Sequence, residues 1–102
     1  MLLTEGRANA ALDPVFKNLP QTEGGKNTLG ASFNAAELLP AAHGYFRYIG
    51  SLTTPPCSEG VRWQVLKQPV EVSKSQIAAF RKLYNMNARP VQPLNGRKVE
   101  EN

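Results

Sequence analysis

Among 102 residues there is one histidine, His43, and one cysteine, Cys57. A catalytic metal centre takes three protein ligands and keeps a fourth position for water, and this pair cannot supply that set without carboxylates in an unfamiliar geometry. A single cysteine also excludes an internal disulfide, so cysteine pairing says nothing about an oxidising compartment. No apolar run approaches the roughly 20 residues that cross a bilayer, and Met1-Leu2-Leu3 is too short for the core of a signal peptide. The chain is therefore expected to be soluble, with no membrane partner. Basic residues exceed acidic ones, 12 to 8, for a net charge of +4, yet they form no stripe. Only Arg81-Lys82 and Arg97-Lys98 are adjacent, and without a basic patch interleaved with aromatics no nucleic acid is expected as a partner. Internal repeats and domain boundaries are lacking too, so residues 1–102 are expected to form a single domain, and one that buries about 60 to 65% of its unfolded surface.

The patterning that is present predicts strands with some helix (α+β). Met1 to Gly6 is a short apolar strand candidate, expected to be cut off on its N-terminal side. Asp13-Pro14 reads as a cap followed by proline at the first helical position, with Val15, Phe16 and Leu19 as the apolar face of a helix near 14–19. Residues 21–32 lack a hydrophobic period and predict a loop. Asn34 caps a single turn, 35–39, that Pro40 ends. Tyr45 to Ile49 and Val61 to Val72 are the strand candidates; in the second, Val61, Trp63 and Val65 alternate with Arg62 and Gln64. Ser73-Lys74-Ser75-Gln76 is a capping box, and Ile77, Phe80, Leu83 and Tyr84 follow at helical spacing, predicting a helix over 74–84. Its polar face is expected to carry Lys74, Gln76, Arg81 and Lys82. From Asn85 onward, Pro90 and Pro93 predict irregular extended chain.

Leu52-Thr53-Thr54-Pro55-Pro56 is a stiff turn, because two prolines fix two backbone angles and push the residue before each out of the helical region. From the residues alone it reads as a strand connector whose hydroxyls satisfy turn backbone groups. Val61-x-Trp63-x-Val65, by itself, reads as plain core. The order Gly50-Ser51-Leu52-Thr53-Thr54-Pro55-Pro56-Cys57-Ser58-Glu59-Gly60-Val61-Arg62-Trp63, however, resembles the active-site wall of the alpha-class carbonic anhydrases. The flanking strands, the helix from Ser73 to Leu83 and the segment Asn87-Ala88-Arg89-Pro90-Val91-Gln92-Pro93-Leu94-Asn95-Gly96-Arg97 resemble that family in the same order, and 6–20 fits an earlier segment of it. The resemblance covers essentially the whole chain and only the C-terminal portion of the family's fold, and it implies a partial form of that fold, mainly β with some helix on a mostly antiparallel sheet.

The resemblance implies a C-terminal fragment of an enzyme that, when intact, hydrates carbon dioxide reversibly to bicarbonate with zinc. That family is itself the standing example of a metal that brings the pKa of its bound water towards neutrality. Thr53 resembles the gatekeeper threonine, whose hydroxyl accepts a hydrogen bond from the hydroxide on the metal and donates to a glutamate, while its backbone N–H meets a substrate or inhibitor oxygen. Thr54 would line the bicarbonate side. Leu52, Val61 and Trp63 resemble the apolar wall that receives carbon dioxide, and a cis peptide is implied between Pro55 and Pro56. The family's zinc-binding histidines, the glutamate and the proton-shuttle histidine lie upstream of these motifs, and nothing in 1–44 resembles them. His43 stands where the family uses no ligand. Zinc thus belongs to the intact family and is not expected in this chain alone, which is expected to be inactive by itself. Alternatives are a non-catalytic binding or interaction module, or a half-enzyme completed by an N-terminal half on another chain. Self-association through exposed sheet edges is a further expectation. Cys57 resembles one half of a disulfide of bacterial members, which implies a periplasmic or secreted parent.

Overall fold

The computed structural model describes residues 1–30 and 32–102. Its framework is a pair of antiparallel strands, β2 (Tyr45–Ser51) and β3 (Glu59–Leu66), joined by the double-proline turn. The Pro55–Pro56 peptide is cis, as the resemblance implied, and Cys57 takes a positive φ of 56°. Two backbone hydrogen bonds close the turn, Leu52 N to Ser58 O at 2.9 Å and Cys57 N to Thr54 O at 2.8 Å. The ladder jumps at its turn end: Gly50 pairs with Val61 but Ser51 pairs with Glu59, leaving Gly60 unpaired at φ 84°. That extra residue is a β-bulge, and its left-handed backbone favours glycine.

A two-residue strand, β5 (Glu100–Glu101), pairs antiparallel with the other side of β2, giving the order β3-β2-β5. Two ion pairs tie it down, Arg47 to Glu100 at 2.6 Å and Lys67 to Glu101 at 2.7 Å. The strand predicted over 61–72 is in fact two. After Leu66 the chain bends through Lys67-Gln68-Pro69, and β4 (Val70–Val72) joins a separate sheet, parallel to β1 (Leu3–Glu5). Pro69 has no N–H to extend a ladder, which is why the first strand ends before it.

The helices are shorter than their hydrophobic spacing predicts. α1 covers Asp13–Lys17, and Asp13 is its first residue, following Leu12 as the cap position. The turn after Asn34 is a 3₁₀ turn, Ala35–Leu38, with the Asn34 side chain accepting from Ala36 N as expected. α2 covers Lys74–Arg81, and the predicted residues 82–84 close it as a tightened turn in which Leu83 N and Tyr84 N both reach Phe80 O. The capping box of Ser73 and Gln76 is present with both of its hydrogen bonds.

Gln76 is not on a solvated face, as its place in the helix predicted; it is buried, at 6% exposure. Burial is tolerable because every polar group of its amide is matched. Oε1 accepts from Ser73 N and Asn9 N, both at 3.0 Å, while Nε2 donates to Asn9 O at 2.9 Å and to Asp13 Oδ1 at 2.8 Å. One side chain thus clasps the segment before α1 to the start of α2. Apolar burial is scant by comparison: among the described residues only Leu12, Val72 and Pro40 are buried apolar side chains. The accessible surface is 8188 Å², where a folded monomer of 11.2 kDa exposes about 5,700 Å². The radius of gyration, 15.8 Å, likewise exceeds the roughly 13 Å of a compact domain this long.

Two outcomes are expected. Gln76→Leu strands the Asn9 backbone groups and the Asp13 carboxylate, and should lower stability in urea unfolding by about 1–3 kcal/mol. The Lys67 ammonium, by hydrogen bond and charge, holds the exposed Glu101 carboxyl below its usual pKa. A lowered folded-state pKa stabilises above the unfolded value and is lost as pH falls through the folded one. Protection of the Asn102 N–H, which donates to Tyr45 O at 2.9 Å, should therefore persist at neutral pH and fade on acidification below the ordinary carboxylate range. Hydrogen exchange followed by NMR reads it.

Candidate functional site

Side chains two apart on a strand share a face, and directly opposed residues of an antiparallel pair share it too. The register puts Val61 opposite Gly50, Trp63 opposite Tyr48 and Val65 opposite Phe46. Val61, Trp63 and Val65 are half-buried, so this apolar face is real but only partly covered. The Tyr48 and Trp63 rings lie nearly parallel, at 13°, with centroids 6.5 Å apart. The Trp63 indole N–H donates to Ser51 O at 3.0 Å, which fastens the strand to the mouth of the turn. Gly50 makes room for this arrangement: a Cβ there would stand 3.0 Å from both Trp63 Cδ1 and Tyr48 Cε2.

Thr53 lies beyond Ser51, exposed on the turn. Among the described residues neither its hydroxyl nor its backbone N–H has a hydrogen-bond partner, whereas the flanking Leu52 N and Thr54 O are both engaged. Thr53 and Trp63 line a common cleft of about 510 Å³, together with Tyr48, Val65, Arg89 and Val91. Leu52, Thr54 and Val61 are not in its lining. Leu52 is 43% exposed and Thr54 is exposed on the same turn, while Val61 continues the Trp63 face towards the bulge. The structure thus brings Thr53 and Trp63 together and leaves the other three on the surfaces that flank them.

The opposite wall of the cleft comes from the irregular segment after α2, and two arginines hold it in place. Arg97 donates from Nη1 to Ile49 O at 3.0 Å, from Nε to Leu94 O at 2.9 Å and from Nη2 to Pro93 O at 3.0 Å. Arg89 donates from Nη1 to Ser51 Oγ at 2.9 Å. Residue patterning assigned neither arginine a task, since a charge in a proline-rich stretch reads as solvated. Their place in the segment from Asn87 to Arg97 was the one available signal.

The donor set does not fit zinc. His43 is exposed, Cys57 is half-buried and unpaired, and no group of three or more His, Cys, Asp or Glu side chains among the described residues could hold a metal. What the cleft offers is an apolar face, a rigid turn and the uncommitted hydroxyl and amide of Thr53.

Residues 1–102 match the family model described as eukaryotic-type carbonic anhydrase. A carbonic anhydrase of Nostoc sp. is 46% identical over 102 residues, which are 99% of this chain and 39% of that protein. A carbonic anhydrase of Neisseria gonorrhoeae is 44% identical over 102 residues, 99% of this chain and 40% of the relative. Among solved structures, the alpha-carbonic anhydrase from Thermovibrio ammonificans, in complex with the inhibitor sulfanilamide, superposes with a TM-score of 0.91 at 51% identity, over 95% of this chain and 43% of that one. The chain spans less than half the length of the relatives it matches.

Gly50→Ala should displace the Trp63 indole and weaken its bond to Ser51. The expected signs are a diminished near-UV circular dichroism band from the chain's one tryptophan and a loss of about 1–3 kcal/mol in stability.

Proposed function

The chain belongs to the eukaryotic-type carbonic anhydrase family, and we propose that its 102 residues supply the substrate-side wall of a carbon dioxide hydration site whose zinc is held by residues outside them. The fold is a part of the alpha-carbonic anhydrase fold, mainly β with few helices. Carbon dioxide has no dipole and is held best against a dry apolar surface with a polar group at its edge. Trp63 supplies that surface inside the cleft, with Leu52 and Val61 on the surfaces that flank it, and Thr53 is the polar edge. The Thr53 hydroxyl accepts a hydrogen bond from the attacking oxygen and so orients it, and the Thr53 N–H donates to the substrate oxygen on which charge develops. Thr54 flanks the outgoing bicarbonate.

The observation that carries this reading is the place of Thr53: its hydroxyl and amide carry no hydrogen bond among the described residues, and of the two turn threonines it is the one that lines the cleft beside Trp63. A turn threonine serving only its own connector would spend its hydroxyl on the backbone; here the rigid frame keeps it free at the rim of an apolar cleft.

Reaction also needs a metal to ionise water, and among the described residues no group of three or more His, Cys, Asp or Glu side chains could hold one. We therefore read residues 1–102 as one incomplete domain, inactive until the N-terminal portion of the family's fold joins it. The surplus surface supports this: roughly 2,500 Å² separates the observed 8188 Å² from the expectation for a folded monomer of this mass. Among the described residues β3 has a strand neighbour on one side only, and an open edge of that kind pairs with another chain, by self-association when the proper partner is missing. Cys57, half-buried, resembles one half of a disulfide of bacterial members, and that resemblance supports a parent enzyme of the periplasm or the exterior.

The test is reconstitution. Carbon dioxide hydration, followed by stopped-flow indicator, should appear when the chain is combined with zinc and a polypeptide carrying the N-terminal portion of the domain, and not with the chain and zinc alone. Thr53→Ala, which removes the hydroxyl and keeps the N–H, should lower kcat by about 10²-fold, the scale of a misplaced nucleophile, with little change in stability. Hydration by the lone chain, or an undiminished rate in the alanine variant, overturns the reading.

A further inference from the structure

A peptide unit is planar, so its C=O and N–H point in opposite directions and whatever grips the carbonyl aims the amide. The unit between Leu52 and Thr53 is gripped at its carbonyl end. Leu52 O accepts from Ser51 Oγ at 3.0 Å and, more distantly, from Arg89 Nη1 at 3.4 Å. The same Arg89 nitrogen donates to Ser51 Oγ at 2.9 Å. A hydroxyl has a single proton; with its oxygen already accepting from a guanidinium, Ser51 directs that proton to Leu52 O. The other neighbouring groups are fixed as well, Ser51 O by Trp63 and Leu52 N by Ser58 O. Arg89 forms no ion pair among the described residues, so its charge falls on this relay, where a charge-assisted bond is stronger than a neutral one. Pro90 holds Arg89 in extended backbone.

We propose that Arg89 is a positioning residue that, through the Ser51 hydroxyl, aims the Thr53 N–H at the substrate oxygen. This rests on the reading that Thr53 faces the substrate. Arg89 stands on the far wall of the cleft and touches no reacting atom itself. The arrangement makes the orientation of the turn depend on the docking of a segment 38 residues further along the chain.

The experiment separates the relay from catalysis. In the ¹⁵N-labelled 102-residue chain, Arg89→Met and Ser51→Ala should each shift the Thr53 amide resonance and speed exchange of the Leu52 N–H by about tenfold, while Arg89→Lys keeps part of the effect of arginine. The double variant should be no worse than the worse single, as expected of two members of one relay. In the reconstituted enzyme the single variants should lower kcat by about tenfold to a hundredfold, the scale of a small misplacement, with KM little changed. A Thr53 resonance unmoved by Arg89→Met, or additive losses in the double variant, overturns the proposal, as does an unmoved kcat beside a shifted resonance. Should Arg89→Met unfold, judged from the Trp63 near-UV band, the smaller Ser51→Ala carries the same test. An inactive unsubstituted reconstitution counts against completion of the site by an N-terminal portion, and the resonance and exchange data then still decide whether the relay exists.

Discussion

The pairing of β2 with β3 is the constraint on which the site depends. Its register puts Trp63 opposite Tyr48 and Val61 opposite Gly50, and a slip of one residue would turn that apolar row to the other side of the sheet. The slip is guarded against at both ends. At one end the Lys67 amide closes the ladder on Gly44 O. At the other the bulge at Gly60, the indole bond to Ser51 O and the closed double-proline turn leave no second way to join the strands. Thr53 inherits its position from all of these, though none of its own side-chain bonds contributes to them.

The rest of the molecule is held by polar clasps to an unusual degree. Few apolar side chains are buried, so specificity comes from groups that must be matched one by one: the Gln76 amide, the two arginines of the C-terminal segment and the ion pairs on β5. Such contacts contribute little net energy each, but an unmatched partner is costly, and they define geometry more sharply than a small core does. A chain built this way has faces prepared for contact and too little interior to make them self-sufficient. That fits membership of a family in which the Nostoc and Neisseria relatives are more than twice as long.

Local signals in the sequence were legible where one short stretch determines the outcome. The capping box, the Asn34 turn and the strand–turn–strand around the prolines all formed as their residues imply. What could not be read were arrangements decided by partners distant in sequence. Gln76 has the helical spacing of a solvated residue, and only the approach of Asn9 and Asp13 makes its burial favourable. The apolar alternation of Val61, Trp63 and Val65 breaks at Leu66-Lys67-Gln68-Pro69 and resumes in the opposite phase at Val70 and Val72, but that this second stretch pairs with β1 depends on a partner far away in the sequence. At the site, Thr53 and Trp63 were legible from the resemblance, whereas the tasks of Arg89 and Arg97 depend on carbonyls of β2 and its turn that no spacing rule connects to them.

The parallel pairing of β1 with β4 sets an order of events. Leu3 pairs with Val70, and the amide clasp beside it joins residues 67 apart, so neither end of that contact can be satisfied until most of the chain has been synthesised. Closing so long a loop costs entropy before any contact repays it, and β1 is too short to persist alone. The hairpin, with its partners close in sequence, forms first; the amino terminus is the last piece of this polypeptide to find its place.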